Sequence, residues 1–263
     1  MGASIAAIIA SAGASTRMAD ETGGKKKEYL ELPFFSKEGE PLTVLGAVVT
    51  AFSSCSGVGP IIISVPPGGE SVALASLPAK LRYAEETPHG RIIFVAGGPT
   101  RRSSVHNALS RLEEPDLRSL EVSYVLIHDG ARPWVSHDLI ERIIEAAIRF
   151  GAAIPALPLT ETPKELYSRE LRSRELGSQE NETCEEVKFI KRHLKRTELC
   201  GAQTPQGFKF PDILRAHEKA AEREKRENLE YTDDAEVWGE FIGKVAVIAG
   251  DHANRKITYP GDL

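Results

Sequence analysis

The feature that most constrains the fold is an unbroken apolar run near the N-terminus, residues 5–10, which ends in a loop of small residues. The run has no polar alternation, which indicates a strand buried on both faces, as in a parallel sheet. Side chains from Ala10 to Ser15 have little bulk, so a ligand can approach the backbone closely. Backbone N–H groups there, with Arg17 beside them, suit a polyphosphate. An ordinary strand-to-helix turn with a surface arginine explains the same residues equally well.

Length and charge narrow the class of protein. A chain of 263 residues can bury a large core, as one big α/β domain or two small ones. The formal net charge of −5 argues against a nucleic-acid partner but leaves room for a small anionic substrate. The longest apolar runs are far shorter than the roughly 20 residues that a membrane-spanning helix needs, and the N-terminus lacks the features of a signal peptide. The three cysteines are widely spread and form no metal or disulfide pattern, so a reducing cytoplasm is expected.

Further apolar runs alternate with helical patterns along the chain. Strands are predicted at residues 60–65, 91–96, 122–127, 152–159 and 244–249. Helical periodicity is found at residues 43–55, 70–87 with an interruption at Pro78, 136–151, 211–221 and 232–242. Thr43 and Ser136 are predicted N-caps, and Gly151 is a predicted helix stop. The alternation predicts an α/β fold around a mostly parallel sheet.

A second loop repeats the pattern of the first. The strand at residues 91–96 runs into Gly97 and Gly98, and a helix begins with hydroxyl and arginine side chains. Arginines in a first turn oppose the helix dipole unless an anion lies between them. We therefore expect at least one of Arg101 and Arg102 to have a functional role.

Acidic residues lie at the ends of two of the predicted elements. Asp129 comes just past the strand at residues 122–127, where open α/β sheets bind ligands, and could hold Mg²⁺ or a ribose hydroxyl. His128 is expected to be a packed histidine that the backbone satisfies. An ion pair of Arg132 with Asp129 is the structural alternative to a binding role. The pair Asp233 and Asp234 could bind a metal, but helix capping explains it at least as well.

Three polar stretches differ in composition from these predicted strands and helices. Residues 164–196 are dense in charged side chains and poor in large apolar ones, which indicates an arm or insertion outside the sheet, with a possible strand at residues 186–194. The three lysines at residues 25–27 are either a solvated loop or a flap over an anion. The charged residues 222–227 are expected to be a solvated helix face. The glycine spacings match neither a dinucleotide fingerprint nor a Walker A loop, which disfavours a dinucleotide-dependent dehydrogenase.

Together these segments resemble one family. ASAGASTRM, KKKEYL, GGPTRRSSV, HDGARP, QTPQGF, TDDA and NRKITYPGDL occur in the order and rough spacing of the 2-C-methyl-D-erythritol 4-phosphate cytidylyltransferases. The resemblance implies a Rossmann-like three-layer α/β nucleotidyltransferase fold of the nucleotide-diphospho-sugar transferase type, with residues 1–263 as one domain. It also implies a protruding β-arm at about residues 160–200 that forms a homodimer. CTP, Mg²⁺ and a polyol phosphate are the implied partners, and CDP-methylerythritol and pyrophosphate the products.

The resemblance also implies roles for individual residues. The implied catalytic cations, which hold the triphosphate and the α-phosphate, are Arg17, Lys27 and Lys256. The implied nucleotide-binding residues are Ala10, Ser11, Ala12, Gly13, Gly98, Ser104, Asp129 and Gly130, and Asp129 is also the implied metal ligand. The implied residues of the methylerythritol phosphate site are Arg132, Thr162, Arg196 and Thr204.

Two alternatives stay open at the level of sequence. A sister cytidylyltransferase for ribitol 5-phosphate would share every motif on the CTP side, and only the acceptor side, through the HDGARP segment and Arg196, favours methylerythritol phosphate. A nucleotide-binding regulator without turnover is suggested by Ser15 and Pro99, which depart from the family pattern. Retention of Arg17, Lys27 and Lys256 argues against that regulator.

Overall fold

The computed structural model describes residues 4–13, 25–35, 39–82, 91–172 and 184–263. The strands, in chain order, are β1 (Ile5–Ala10), β2 (Glu31–Phe35), β3 (Pro41–Thr43), β4 (Val58–Val65), β5 (Ile92–Ala96), β6 (Tyr124–Asp129), β7 (Ala152–Pro158), β8 (Lys164–Arg172), β9 (Cys184–His193), β10 (Cys200–Ala202), β11 (Gln206–Lys209) and β12 (Ala246–Ala249). The α-helices are α1 (Val44–Ser53), α2 (Glu70–Ala75), α3 (Ala79–Arg82), α4 (Arg101–Arg111), α5 (Pro115–Arg118), α6 (His137–Phe150), α7 (Asp212–Glu227) and α8 (Asp234–Phe241).

The described chain forms two compact units, residues 1–156 with 202–263 and residues 157–201. In the larger unit, β1 lies between β6 and β4, and β5 pairs with the far side of β4. These four strands are parallel to one another. β11 is inserted antiparallel between β6 and β7, and β12 pairs parallel with β7. The predicted mostly parallel sheet is therefore confirmed, and β11 is an antiparallel strand within it that the sequence did not indicate.

Alternate residues of β1 enter two separate cores. Ile5, Ala7 and Ile9 pack with α1 and α6 on one face of the sheet. Ala6 and Ile8 pack on the other face with residues of α4, α7 and α8. Burial on both faces explains why this strand has no polar alternation. The result is the three-layer arrangement of helices, sheet and helices.

The two predicted N-caps and the predicted helix stop are confirmed. The Thr43 hydroxyl accepts a hydrogen bond from the Gly46 N–H at 2.9 Å, and the Ser136 hydroxyl accepts one from the Leu139 N–H at 3.2 Å. Gly151, which follows α6, has a φ of 83°. That left-handed conformation favours glycine at the end of a helix.

Other expectations need correction. Asp129 is the last residue of β6 rather than a residue beyond it, because pairing with Ala10 extends the strand. Ile148 follows the apolar periodicity of residues 136–151, but it is 45% exposed and is not part of the buried face of α6. The helical stretch after residue 70 is two short helices separated by a break around Pro78, and residues 83–87 lie outside the described chain. The short elements β2, β3, β10, β11 and α5 were not predicted.

The smaller unit contains an antiparallel hairpin of β8 and β9. Leu166 pairs with Ile190 and Tyr167 with Phe189, and all four side chains are at least 37% exposed. Since successive residues of a strand point to opposite faces, each face of the hairpin carries one exposed apolar pair. Among the described residues, no helix is long and apolar enough to cross a membrane.

Candidate active site

Three loops meet at the carboxyl edge of the parallel strands. A Cβ added to Gly97, after β5, would overlap the Ala12 side chain of the loop after β1. The Gly130 N–H, after β6, donates to the Ala10 carbonyl oxygen at 2.9 Å, and a Cβ on Gly130 would lie 2.8 Å from the Ser11 hydroxyl. The predicted nucleotide-binding loops therefore touch at close range, which only small residues allow.

Two neighbouring lysines donate hydrogen bonds to backbone carbonyl oxygens around the site. The Lys26 ammonium donates to the carbonyl oxygens of Ser11 at 2.6 Å and Gly13 at 2.7 Å. Burial lowers the pKa of Lys26, against the opposing effect of Glu28. The Lys27 ammonium donates to the Ile257 carbonyl oxygen at 2.9 Å. Lys27 therefore reaches the segment that carries Lys256, whereas the contact of Lys26 with the first loop was not predicted.

Asp129 is the centre of a charged cluster. Its side chain lies 2.9 Å from the Lys256 ammonium, 3.4 Å from Arg101 Nε and 3.5 Å from Arg132 Nε. Burial alone would raise the pKa of this carboxyl, but the three cations hold it well below its usual range. Asp129 is therefore an anion with cations on several sides, at the strand end where ligands of open α/β sheets bind.

The two arginines that begin α4 have different partners. Arg101 contacts Asp129 and, at 2.8 Å, Asp234. Arg102 is buried and pairs with Glu224 of α7 at 2.6 Å. The expectation that at least one arginine serves the site thus points to Arg101. The expectation that residues 222–227 are only a solvated face is wrong at Glu224, because that carboxylate neutralises a buried guanidinium.

His128 is fully buried next to Asp129. Its Nε2 lies 3.2 Å from the Arg132 carbonyl oxygen, and its Nδ1 lies 3.1 Å from the Thr204 hydroxyl. Burial lowers the pKa of His128 to about 4, so the imidazole is neutral at pH 7. The prediction of a packed, satisfied histidine is confirmed. The Thr204 hydroxyl also accepts the Asp129 N–H at 3.1 Å, so Thr204 helps to hold the end of β6 in place.

The remaining predicted residues fall into three groups. The Gly98 N–H donates to the Ser104 hydroxyl at 3.1 Å, so these two residues shape the second loop together. Arg196 and Thr162 belong to the smaller unit, and Arg196, which is exposed, donates to the Thr160 carbonyl oxygen at 2.7 Å. Arg17, like Ser15, lies outside the described residues.

The chemistry of the acidic groups decides where a metal could bind. In the described part of the chain, no group of three or more His, Cys, Asp or Glu side chains is placed so that it could hold a metal ion. Asp233 accepts the Glu236 N–H at 2.8 Å, which confirms helix capping, and Asp234 faces Arg101 instead of a shared metal position. Of these described acidic groups, the Asp129 carboxylate could hold Mg²⁺, which proteins often bind through one carboxylate together with substrate phosphates.

Solved structures with the same architecture include two of cytidylyltransferase type. The chain matches the 2-C-methyl-D-erythritol 4-phosphate cytidylyltransferase of Thermus thermophilus with a TM-score of 0.62 and 28% identity, over 100% of this chain and 95% of that one. It matches the 4-diphosphocytidyl-2C-methyl-D-erythritol synthase of Anaerococcus prevotii with a TM-score of 0.67 and 24% identity, over 99% and 92% of the two chains. The second likeness shows the fold alone. Fold and site thus define a Rossmann-like nucleotidyltransferase.

Sequence comparison narrows that class to one family. The family model "IspD: 2-C-methyl-D-erythritol 4-phosphate cytidylyltransferase" matches residues 5–172 and 180–263. The relative with that name from Pelotomaculum thermopropionicum is 33% identical over 260 residues, 98% of this chain and 91% of the relative. The chain belongs to this family of cytidylyltransferases, as its motifs predicted, and is an enzyme of the nucleotidyltransferase class.

Some relatives are longer. The bifunctional enzyme IspD/IspF of Brucella abortus is 32% identical over 222 residues, which are 84% of this chain and 48% of that enzyme. The chain therefore spans about half the length of such bifunctional relatives.

Proposed function

We propose that the protein transfers CMP from CTP to 2-C-methyl-D-erythritol 4-phosphate, giving CDP-methylerythritol and pyrophosphate for isoprenoid biosynthesis. The observation that carries the proposal is the Asp129 cluster, with Arg101, Arg132 and Lys256 around one carboxylate where three glycine-rich or small-residue loops meet. Family membership supports the acceptor, and it favours methylerythritol phosphate over the ribitol phosphate alternative.

The reaction is an in-line displacement at phosphorus. An oxygen of the acceptor phosphate forms a bond to the α-phosphorus of CTP, and the bond to the bridging oxygen of pyrophosphate breaks. A phosphate monoester has a second pKa near 6, so the attacking group is largely a dianion at pH 7 and needs no general base. This fits the surroundings of His128, whose two ring nitrogens are already occupied by Arg132 and Thr204.

In the proposed mechanism, fixed positive charges stabilise the transition state. The reactants repel each other as anions, and negative charge grows on the oxygens of the transition state. We assign Lys27 to the triphosphate and Lys256 to the α-phosphate, with Arg17 as a further cation on the triphosphate from the family motif. Preorganised donors of this kind stabilise developing charge without reorganisation during the reaction.

Mg²⁺ is the cofactor of the proposal. Asp129 would hold it together with phosphate oxygens of the nucleotide, and bound Mg²⁺ supplies Lewis-acid neutralisation of the triphosphate charge. The low pKa of Asp129 supports this role because the carboxylate stays ionised throughout the physiological range.

The nucleotide is held by the loops themselves. We assign the backbone groups of residues 10–13, together with Gly98, Ser104 and Gly130, to a slot for cytosine and ribose. Lys26 supports this slot by fixing the first loop through two carbonyl oxygens. We assign Arg132, Thr204, Thr162 and Arg196 to the acceptor phosphate, as the family motifs imply.

The arm is assigned to a homodimer. Each face of its two-stranded hairpin carries one exposed apolar pair, Leu166 with Ile190 or Tyr167 with Phe189. Exposure of such apolar surface to water is unfavourable, and a second copy of the arm would bury it. Sedimentation of the wild type and of the variant Leu166→Glu tests this role, and a wild-type monomer contradicts it.

We place the enzyme in the cytoplasm because all three cysteines are unpaired. The net charge of −5 gives no reason to expect a nucleic-acid partner.

Pyrophosphate release from the purified protein tests the function. The reaction contains CTP, Mg²⁺ and either 2-C-methyl-D-erythritol 4-phosphate or ribitol 5-phosphate. Release with the first acceptor alone is expected. Release with ribitol phosphate alone moves the protein to the sister activity. CTP binding without release with either acceptor favours the regulator.

A further inference from the structure

Asp234 is a buried carboxylate directly behind the proposed active site. It is 1% exposed and lies 2.8 Å from the Arg101 guanidinium, whose Nε is 3.4 Å from Asp129. Arg101 thus lies between two carboxylates, one of the site and one of the core. Since Arg101 begins α4, where a cation opposes the helix dipole, it needs anionic partners to stay there.

A histidine supports Asp234 from the other side. His217 of α7 is fully buried, and its Nε2 lies 3.3 Å from Asp234. Burial raises the pKa of Asp234, but Arg101 and His217 together outweigh that effect and hold the pKa of the carboxyl below its usual range. A buried charge is costly unless a partner compensates for it. Residues from α7 and α8 therefore fix the guanidinium that reaches Asp129.

The neighbouring pair is a natural comparison. Arg102 and Glu224 also join α4 to α7 through a guanidinium and a carboxylate, at 2.6 Å. Arg102 also donates to the His217 carbonyl oxygen at 3.3 Å. Both of these partners belong to α7, whereas those of Arg101 include Asp129. The two pairs thus have a similar structural role, and the one formed by Arg101 reaches the site.

We propose that Asp234, supported by His217, is a positioning residue for cytidylyl transfer, because it fixes Arg101 and through it the orientation of the Asp129 carboxylate. This inference rests on the proposed function, which places Asp129 on the nucleotide. Asp234 touches neither substrate nor metal and acts only through Arg101. The TDDA segment then has two roles, with Asp233 as the cap of α8 and Asp234 as the anchor of the site.

The test compares Asp234→Asn with Glu224→Gln. Each variant replaces a carboxylate by its amide and leaves an arginine of α4 with one charge partner fewer. Loss of a residue that orients a metal or ligand group costs about 10- to 100-fold in activity or affinity. We expect Asp234→Asn to lower kcat/KM for CTP by that factor and to weaken CTP binding in calorimetry. Glu224→Gln should lower the melting temperature with both quantities within about twofold of the wild type.

A double variant shows whether the effect passes through Arg101. Residues of one network have non-additive effects, so Asp234→Asn should add little in an Arg101→Met background. Multiplied losses in the double variant overturn the proposal, as does unchanged kcat/KM and CTP affinity in folded Asp234→Asn. If Asp234→Asn does not fold, His217→Gln provides the same comparison, with an expected loss in CTP affinity that Glu224→Gln does not show.

Calorimetry separates this proposal from the proposed function. If the wild type binds CTP but transfers nothing, the function fails, and weaker CTP binding in Asp234→Asn alone still supports the positioning role. If the wild type transfers CMP and Asp234→Asn does so equally well, the function stands and the positioning role is wrong. If the wild type neither binds CTP nor transfers CMP, both are wrong.

Discussion

Replacement of Lys256 by methionine separates the catalytic role of its charge from any structural role. The ammonium lies 2.9 Å from Asp129, and the side chain is 40% exposed. Methionine keeps an unbranched apolar stem and removes the positive charge together with its N–H donors. Asp129 retains Arg101 and Arg132, so the fold does not depend on Lys256 for neutralisation of this carboxylate.

The substitution should affect catalysis and thermal stability to very different extents. A partly exposed ion pair contributes about 0–1 kcal/mol, which corresponds to a melting-temperature shift of at most about 4 °C in a protein of this size. Loss of one donor to transition-state charge costs about 100- to 1,000-fold in kcat, or about 2.7–4 kcal/mol. Lys256→Met should therefore lose at least about 100-fold in kcat and keep nearly all of its thermal stability.

Steady-state pyrophosphate release at saturating CTP and methylerythritol phosphate measures the first effect, and a melting curve measures the second. Lys209→Met is the matched control, because Lys209 lies 3.9 Å from Asp212 and is 56% exposed. It should change neither quantity. A kcat for Lys256→Met within about threefold of the wild type refutes the assigned role, and so does a loss of activity that merely follows unfolding.

Three further predictions concern the site and its support. Gly97→Ala should weaken CTP binding at least about tenfold in calorimetry. The new Cβ would overlap the Ala12 side chain and block a hydrogen bond to the nucleotide, which is worth about 1.5 kcal/mol. An unchanged affinity means that the loops need not touch. Phe52→Ala should lower the free energy of unfolding in urea by about 3–5 kcal/mol, because this ring is fully buried against His128; a loss below about 1 kcal/mol contradicts the close packing. Without Mg²⁺, the free energy of unfolding should fall by about 3 kcal/mol between pH 6.5 and pH 4. Burial lowers the pKa of His128 to about 4, so the unfolded chain, in which histidine has its ordinary pKa, binds a proton at a higher pH than the folded chain does. His128→Asn should lose this part of the pH dependence, and an unchanged slope rules out His128 as its source.

The elements that sequence predicts well are those whose signals are local. β1 has a continuous apolar run, and α1 and α6 have hydroxyl caps and apolar stripes that need no knowledge of the rest of the chain. β11 is different, because Gln206–Lys209 is short and its pairing with β6 and β7 depends on residues far away in the chain. Such a strand is fixed by tertiary pairing, and no local pattern reveals it.

The site shows the same division. Asp129 could be found from its position at a strand end, and Lys256 from its motif, since both depend on nearby sequence. The choice between Arg101 and Arg102 could not be made, because adjacent residues at a helix start turn to different neighbours only when α7 and α8 pack against α4. The burial of Asp234 likewise follows from that packing, whereas the capping role of Asp233 is local.

The fate of the α-phosphate of CTP shows whether the protein is a cytidylyltransferase for methylerythritol phosphate. CTP that is radiolabelled at the α-phosphate is incubated with the wild-type protein, Mg²⁺ and 2-C-methyl-D-erythritol 4-phosphate, and the labelled products are separated. We expect the label to move into CDP-methylerythritol as pyrophosphate appears in equal amount, and only when the acceptor is present. Label that remains in CTP, or that appears as free CMP regardless of the acceptor, would show that the protein does not transfer CMP to this acceptor.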